Sequence, residues 1–551
     1  MNRLAFYPTQ YDYEETRRLV ALVDEAADLV ATGGEAMFSE LSLDGSRWRV
    51  GETYIFVLDL DGDMLVHPDP ALKGRDVLDL KDVNGKSIIR GLIGAATRFT
   101  DKPHGWFHYE WPEPGALLPR WKSSYVRFVT APSGKRYVVG SGMYNDRMER
   151  AFVVDAVTDA VGLIEKSWEA AFPLLRDPTG PFIAKEAYVF VIDMEGVVLV
   201  HPAFPNLEGS NLREVKDSQG KYLIREMLEL LQSNESGWVD YMWPKPGESV
   251  STQKSTFVSK AKLGDKWVVV GCGVYLADAP REAATVKKMT ASEMTRLVHE
   301  GAAVFEKLGE KAYPEFRQRG SKWFCDDTYF FVWTMEGFRV FHAADPAGEG
   351  RNVSGLKDIV GRPIGCMILE IAASPAGEGW IHYMYPLPGG IFPTWKSTFV
   401  KRVNFPSGKP HIIGCGIYNM QMDKSFIEDM VNRAATLITE YGKEAFCQLR
   451  DKTGPFLFMD TYVFVESVDG TELVNPRFPS LEGRNLMDLK DLQGNAVIRN
   501  QHEIAMREGS AWLELTWYKP GSNTPARKLT YVKKVQNGED TFIVGSGIYM
   551  D

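Results

Sequence analysis

Four short stretches decide the fold, and each is a run of aromatic and β-branched residues that ends in an acidic residue and a glycine. They are Tyr54-Ile-Phe-Val-Leu-Asp-Leu-Asp-Gly62, Tyr188-Val-Phe-Val-Ile-Asp-Met-Glu-Gly196, Tyr329-Phe-Phe-Val-Trp-Thr-Met-Glu-Gly337 and Tyr462-Val-Phe-Val-Glu-Ser-Val-Asp-Gly470. Such runs before a turn signal predict buried strands. We therefore interpret the chain as four copies of one unit.

A second motif closes each copy. It occurs as Gly140-Ser-Gly-Met-Tyr144, Gly271-Cys-Gly-Val-Tyr275, Gly414-Cys-Gly-Ile-Tyr418 and Gly545-Ser-Gly-Ile-Tyr549. The opening and closing tyrosines are 90, 87, 89 and 87 positions apart. Solenoid repeats have periods of roughly 20–50 residues, so each copy is predicted to be a domain of its own.

The copies also form two similar pairs. Landmarks in the first two copies recur 274 or 275 positions later, as Trp121-Lys-Ser-Ser-Tyr125 does in Trp395-Lys-Ser-Thr-Phe399. We predict a two-domain protein that was itself duplicated, with domains at 1–147, 148–279, 280–421 and 422–551.

Each copy is predicted to be a long helix followed by about five antiparallel strands with a short helical insert, an α+β fold. In the first copy, apolar residues recur every three or four positions from Glu14 to Thr32, which is typical of a helix. The insert is predicted at Ser87 to Thr97. Because the first strand is apolar on both faces, we expect the long helix to cover one face of the sheet and the insert the other.

The composition excludes several classes of protein. The 551 residues carry a net charge of -10, which argues against nucleic-acid binding. The five cysteines form no CxxC motif, so a disulfide framework or zinc ribbon is not expected. No apolar stretch reaches the ~20 residues of a membrane span. The first eight residues have too short an apolar core for a signal peptide, which leaves two possibilities: a cytoplasmic protein, or one whose export signal was removed.

The order of motifs resembles the single Cache domain, type 2, of bacterial and archaeal sensors. The pattern is a long helix, then YxFVxDxxGxxLVHP, LxGxNLxxxKDxxG, GWxxYxWPxPG, KSxxV and VGxGxY, and all four copies show it. The resemblance implies a PAS-like fold, a place outside the cytoplasmic membrane and the binding of small molecules such as organic acids. This sequence lacks the flanking membrane helices and signalling segments of those sensors, which fits a free-standing binding protein better.

The first candidate for ligand binding is a lysine that recurs near the start of the fourth strand. It occurs as Lys122, Lys254, Lys396 and Lys528. A cation at one strand position in every copy could hold a carboxylate. The alternative is an exposed lysine that guards a strand against edge pairing.

Aromatic and imidazole side chains complete the predicted sites. The histidine of the LVHP motif recurs as His67, His201 and His342, with Asn475 in the fourth copy, and it either contacts a ligand or caps a turn. We also assign to the sites the opening tyrosines Tyr54, Tyr188 and Tyr329, the third-strand tryptophans Trp106, Trp238, Trp380 and Trp512, and the odd-copy histidines His108 and His382. Taken alone, each of these aromatic residues would be interpreted as core.

Two motifs are predicted to be structural. The closing Gly-x-Gly lacks the third glycine of a dinucleotide fingerprint and ends a strand. The Lys-Asp-x-x-Gly turn around Asp82, Asp217, Asp358 and Asp491 is predicted to be a loop staple or a helix cap rather than a metal site. No catalytic or metal-binding spacing recurs across the copies, so we predict no enzyme, no cofactor and no metal.

The sequence therefore predicts a protein that binds small polar organic molecules, with carboxylates favoured. It would act as a ligand-capturing or sensory component for a separate signalling or transport protein. The alternative is a structural or interaction scaffold whose copies have lost their ligands, and an enzyme is a more remote third class.

Overall fold

The computed structural model describes residues 11–113, 119–144, 148–246, 248, 251–276, 289–387, 393–490, 496–520 and 525–550. In the first copy the helices are α1 (Glu14–Gly33), α2 (Phe38–Leu41) and α3 (Ile88–Thr97). Its strands are β1 (Arg49–Val50), β2 (Thr53–Tyr54), β3 (Phe56–Asp59), β4 (Met64–Val66), β5 (His104–Pro112), β6 (Pro119–Thr130) and β7 (Arg136–Tyr144).

The second copy repeats this order of elements. Its helices are α4 (Arg150–Ser167), α5 (Phe172–Arg176) and α6 (Leu223–Ser233). Its strands are β8 (Ile183–Ala184), β9 (Ala187–Tyr188), β10 (Phe190–Asp193), β11 (Val198–Val200), β12 (Ser236–Pro244), β13 (Ser251–Leu263) and β14 (Lys266–Tyr275).

In the third copy the helices are α7 (Ala291–Leu308), α8 (Tyr313–Arg317) and α9 (Ile364–Ala373), and the strands are β15 (Phe324–Cys325), β16 (Thr328–Thr334), β17 (Arg339–His342), β18 (Glu378–Pro386), β19 (Pro393–Asn404) and β20 (Pro410–Tyr418). The fourth copy has the helices α10 (Lys424–Tyr441), α11 (Phe446–Arg450) and α12 (Val497–Glu508), and the strands β21 (Leu457–Phe458), β22 (Thr461–Tyr462), β23 (Phe464–Ser467), β24 (Glu472–Val474), β25 (Ser510–Tyr518), β26 (Pro525–Asn537) and β27 (Asp540–Met550).

Every copy contains the same five antiparallel strands in one sheet, and in the third copy the short strand β15 joins this sheet as a sixth. In the first copy the spatial order is β4-β3-β7-β6-β5, so the short opening strand pairs with the last strand of the copy. The long strands β5, β6 and β7 form consecutive hairpins. This arrangement confirms the α+β fold that the sequence predicts, with the opening strand inside the sheet.

The two faces of the sheet have different covers. On one face Ile55 and Val57 pack with the apolar stripe of α1, which includes Val23 and Val30. On the other face Tyr54 and Phe56 pack with the insert helix α3. The prediction that the long helix and the insert cover opposite faces is confirmed. We call these the helix face and the insert face.

The chain divides into two compact units. Apart from the short stretches 247–250 and 521–523, the first unit holds residues 1–280 and the second holds residues 281–551. Each unit thus contains one odd copy and the even copy that follows it. The four domain boundaries drawn from the sequence stay predictions.

A buried cation joins the two copies within each unit. In the first unit the Lys86 ammonium donates to the carbonyl oxygens of Gly180 (3.2 Å) and Ile183 (2.6 Å) of the next copy. In the second unit the Arg362 guanidinium donates to the carbonyl oxygens of Gly454 and Leu457, both at 2.6 Å. Both cations directly follow the glycine of the Lys-Asp-x-x-Gly turn, so this turn also fixes the pairing of copies.

Each long helix ends at a residue with left-handed backbone. Three of these residues are Gly34, Gly309 and Gly442, with φ of 63°, 56° and 56°. In the second copy the residue is Trp168, with φ of 54°. A side chain with a Cβ is strained in this conformation, and the Trp168 side chain is 60% exposed, so little packing offsets the strain.

We expect Trp168→Gly to raise the free energy of unfolding of the first unit by about 0.5–1 kcal/mol, because glycine adopts this backbone without strain. Trp168→Ala is the matched control, since it removes the indole but keeps the Cβ. Urea unfolding of the full chain would measure the difference. A glycine variant no more stable than the alanine variant would contradict the argument.

Among the residues that the structure describes, no helix combines the length and apolar character needed to cross a membrane.

Candidate functional site

The recurring lysine lies deep inside every copy. Lys122, Lys254, Lys396 and Lys528 are 0%, 0%, 2% and 3% exposed. Each lies on a strand with neighbours on both sides, as Lys122 on β6 pairs with Tyr109 of β5 and Tyr144 of β7. The alternative of an exposed lysine guarding a strand edge is therefore wrong.

Two tyrosines enclose each ammonium group. The Lys122 Nζ lies 4.1 Å from the ring centroid of the opening Tyr54 and 4.9 Å from that of the closing Tyr144. The corresponding distances are 4.0 and 4.9 Å for Lys254, 3.9 and 4.5 Å for Lys396, and 4.2 and 5.1 Å for Lys528. The ring faces attract the cation, an interaction worth up to about 2 kcal/mol when both groups are desolvated.

Hydrogen bonding at the ammonium groups is incomplete. The Lys122 and Lys528 ammonium groups donate to the hydroxyls of Tyr54 (2.7 Å) and Tyr462 (3.1 Å). In the part of the chain that the structure describes, the Lys254 Nζ has no hydrogen-bond partner, and none of the four lysines pairs with a carboxylate. Burial lowers the pKa of each of these lysines to about 7.

The closing Gly-x-Gly makes room for the lysine. A Cβ on Gly142 would lie 2.5 Å from the Lys122 Cε, and a Cβ on Gly273, Gly416 or Gly547 would lie 2.8 Å from the Cε of the lysine in its copy. The second glycine of the motif is thus part of the site, although sequence analysis assigned it only a structural role. The strand register indicates this role, because Gly142 lies opposite Ser124, two residues after Lys122.

The LVHP histidine caps a turn through one ring nitrogen. The Nδ1 of His67, His201 and His342 accepts the backbone N–H of Asp69 (3.0 Å), Phe204 (3.1 Å) and Asp345 (2.8 Å). In the fourth copy the Asn475 Oδ1 accepts from the Phe478 N–H in the same way (2.9 Å). The turn-cap interpretation therefore describes what this residue does in every copy.

The histidine ring also lies at the lysine site. The ring centroid of His67 is 5.1 Å from that of Tyr54. The corresponding distances are 5.1 Å between His201 and Tyr188 and 4.9 Å between His342 and Tyr329. Burial, followed by the charge of the nearby lysine, lowers the pKa of His67 to about 4 and that of His201 and His342 to about 3. A neutral ring that accepts at Nδ1 carries its proton on Nε2, which makes it a hydrogen-bond donor.

The tryptophans and the odd-copy histidines lie on the opposite side of the sheet. Trp106 and His108 are on the helix face, where their rings pack 4.6 and 4.8 Å from that of Phe152 on α4. Trp380 and His382 pack at 4.7 Å from Phe426 on α10. Trp238 packs with Phe257 on this face, and Trp512 donates to the Glu428 carboxylate of α10. These residues do not join the lysine sites, which corrects the sequence-based grouping.

His108 instead lines a separate small cavity of about 20 Å³ between the paired copies, together with Phe152, Phe182 and Cys272. Its Nδ1 contacts the Ser123 Oγ at 2.8 Å, and burial lowers the pKa of the ring to about 3. His382 makes the equivalent contact with the Ser397 Oγ and stacks on Phe458 of the next copy, with centroids 3.8 Å apart. Both histidines thus serve the pairing of copies.

Sequence analysis missed a tyrosine that faces the lysine across the sheet. Tyr109, Tyr241 and Tyr383 pair in register with Lys122, Lys254 and Lys396. Their hydroxyls contact those of Ser124, Thr256 and Thr398 at 3.0, 3.0 and 2.9 Å. The sequence signal was the Y of the GWxxYxWP motif, one position along the strand from the histidine that we chose. The fourth copy has Leu515 at this position.

The acidic turn is a loop staple, as predicted. The Asp82 carboxylate accepts the backbone N–H groups of Asn84 (2.8 Å), Lys86 (2.9 Å) and Glu110 (3.1 Å). Asp217 and Asp358 make the same three contacts in their copies. Asp491 lies outside the described residues. Within the described ranges, no three His, Cys, Asp or Glu side chains are placed to hold a metal ion.

Comparison with known families matches all four copies. The sequence model described as Cache domain matches residues 42–149, 318–433 and 427–551, and the one described as Single Cache domain 2 matches residues 173–289.

Individual relatives match shorter parts of the chain. The methyl-accepting chemotaxis protein McpP of Pseudomonas putida is 33% identical over 95 residues, 17% of this chain and 17% of its own length. The sensor histidine kinase MctS of Rhizobium johnstonii is 34% identical over 92 residues, 17% of this chain and 19% of its own length. The match thus spans less than one fifth of either relative.

One solved structure that matches is described as the structural basis for carboxylic acid recognition by a Cache chemosensory domain. It is 29% identical to this chain, with a TM-score of 0.20. The match covers 22% of this chain and 88% of that structure's chain. The Cache domain model alone matches well over half of the 551 residues. This protein therefore belongs to the Cache domain family.

Proposed function

We propose that this protein binds small organic anions, carboxylates above all, at the buried lysines, and passes its bound state to a separate signalling or transport protein. The Lys254 ammonium group carries the proposal. It is fully buried, lies 4.0 Å from the Tyr188 ring centroid and has no hydrogen-bond partner among the described residues. A buried cation without a counter-charge is unfavourable, and a carboxylate would supply that charge.

The neighbouring groups suit the same ligand. In the first three copies the histidine Nε2–H is a neutral donor beside the lysine, so ammonium and imidazole together could hold the two oxygens of one carboxylate. Aromatic rings line the rest of the site, as in most small-molecule pockets. Membership of the Cache family, and curated relatives that are a chemotaxis receptor and a sensor kinase, support a sensory role outside the cytoplasmic membrane.

We expect Lys254→Met to remove one carboxylate site from the full chain and to leave the fold at least as stable. The charge that binds the ligand is lost, but so is the cost of burying it. Isothermal titration with acetate and propionate would show the stoichiometry fall by one site, or the affinity of that site fall by more than tenfold, about 1.4 kcal/mol. Thermal unfolding would report the stability.

Lys262→Met is the matched control, since Lys262 lies on the same strand but is exposed. Equivalent variants at Lys122 and Lys396 test the other sites. Unchanged binding together with a clear loss of stability would show that the lysine is structural. Absence of carboxylate binding by the unmodified chain would favour the interaction scaffold.

Carboxylate binding should also depend on pH in a specific direction. Burial lowers the pKa of the free lysine to about 7, so below pH 7 the site is already charged. Above pH 7 the lysine must take up a proton to bind the anion, and the affinity should fall by up to about tenfold for each pH unit. Titration at pH 8 in buffers of different ionisation enthalpy should reveal proton uptake. Affinity that stays constant from pH 6 to pH 9 would contradict this mechanism.

A further inference from the structure

The fourth copy carries a carboxyl group of its own beside the lysine. Glu472 lies on β24, is 2% exposed and lines a small cavity together with Lys528. The residues in the same register of the other copies are Met64, Val198 and Arg339, none of which is an acid. A buried acid at this position is therefore specific to the fourth copy.

This carboxyl group takes the hydrogen bond that we propose for the ligand in the other copies. Asn475 replaces the LVHP histidine and caps the same turn through its Oδ1, so its amide N–H groups take the place of the imidazole donor. The Asn475 Nδ2 donates to the Glu472 Oε1 at 2.7 Å. The donor that would hold a ligand carboxylate is thus already occupied by a group of the chain itself.

A second acid lies next to the first. Glu466 pairs with Glu472 across β23 and β24, is 1% exposed and lines the same cavity. Its two oxygens accept from the Gln501 amide at 2.8 and 2.7 Å, and the His502 Nε2 contacts one of them at 2.7 Å. These three contacts hold Glu466 as a carboxylate.

The two acids balance the charge of the lysine. Burial, followed by the charge of Glu466, holds the pKa of Glu472 well above its usual range, so Glu472 is the acid that keeps its proton. The pair then carries one negative charge against the one positive charge of Lys528. An anion that entered here would meet a fixed negative charge at a buried site, where like charges repel strongly. The other copies have Leu58, Ile192 and Trp333 at the position of Glu466.

Little space remains beside these groups. The cavity has a volume of about 30 Å³, and a water molecule needs about 10–15 Å³ of such space. One or two water molecules would fit and would satisfy the Thr530 hydroxyl, which borders the cavity and has no partner among the described residues. Acetate, with four non-hydrogen atoms, is larger than that space.

We propose that the fourth copy is ligated by its own Glu472 and is closed to external carboxylates, so that the full chain binds three carboxylates and not four. This inference rests on the proposed function of the other three copies. Glu472 is the internal substitute for the ligand, and Glu466 repels an external anion. The two acids therefore determine which copies respond, and the fourth copy keeps one state at every ligand concentration.

The unmodified full chain supplies the first test. Isothermal titration with propionate should give three sites per chain, and Lys528→Met should leave this number unchanged because the fourth site is closed. Lys254→Met is the matched control and should remove one site. Four sites in the unmodified chain, one of which is lost in Lys528→Met, would overturn the proposal.

Removal of the internal acid supplies the second test. Glu472→Ala removes four non-hydrogen atoms with the same connectivity as acetate and frees the Asn475 amide. We expect this variant to bind one more acetate than the unmodified chain does, and to lose that site when Lys528→Met is added. Glu472→Gln is the matched control, since glutamine fills the same space, and it should gain no site. A folded alanine variant that gains no acetate site would overturn the role of Glu472.

Thermal unfolding gives a readout that does not require a stable variant. Glu472→Ala leaves a void and an unpaired Asn475 amide, so its unfolding temperature should fall. Acetate should raise this temperature by at least about 2 °C more than it does for the unmodified chain or for Glu472→Gln, with sodium chloride at equal ionic strength as the reference. An equal effect of acetate on all three proteins would identify Glu472 as a packing residue and overturn the proposal.

The two proposals fail in different ways. If acetate and propionate bind nowhere in the unmodified chain, yet Glu472→Ala gains an acetate site that requires Lys528, the general carboxylate function fails and the role of Glu472 holds. If the unmodified chain binds four carboxylates and Lys528→Met removes one of them, the general function holds and the internal ligand is wrong.

Discussion

The burial of one lysine ammonium group in every copy is the constraint on which the rest of the site depends. The glycine opposite the residue two positions after the lysine leaves space for the lysine stem, since a Cβ at Gly273 would lie 2.8 Å from the Lys254 Cε. The opening and closing tyrosines place their ring faces about the cation. The closing tyrosine is itself fixed, because its hydroxyl donates to a strand-end carbonyl such as that of Pro244 (2.7 Å). The motifs at the two ends of each copy are therefore parts of one site.

The sequence predicted the repeat, the order of elements and the two covers of the sheet, because these depend on local patterns. Alternation along β5 separates Trp106 and His108 from Phe107 and Tyr109, and this separation is correct. Alternation does not show which of these two faces the long helix covers. We therefore assigned Trp106 and His108 to the lysine site, whereas Phe107 and Tyr109 lie on that face. The register between β5 and β6 decides this point, because it pairs Lys122 with Tyr109. Long-range pairing of this kind is not visible in the period of a single strand.

The sequence pattern also did not predict that the lysines are buried. A lysine in the company of serine and threonine is typical of an exposed strand. Lys122 is buried because it lies on a central strand under the insert helix. There it contacts residues that are distant in the chain, such as Tyr54, which is 68 positions away. The odd-copy histidines show the same difficulty in another form, because polar side chains that we assigned to a ligand site prove to be packing residues. His382 carries polar atoms, yet it stacks on Phe458 of the neighbouring copy and helps to join the pair.

The fourth copy differs from the other three at the position that faces its lysine, where it has Leu515 in place of a tyrosine. Loss of the tyrosine at Leu515 by itself would leave a void and an unsatisfied hydroxyl on Thr530, both of which are destabilising. The fourth copy added further buried polar groups at the same place, when apolar residues would have filled the space at lower cost. Gln501 and His502 hold Glu466, and Asn475 holds Glu472, so each acid is positioned by dedicated partners. The polar network around Glu466 and Glu472 therefore costs more to bury than apolar side chains would, although each acid in it has a hydrogen-bond partner.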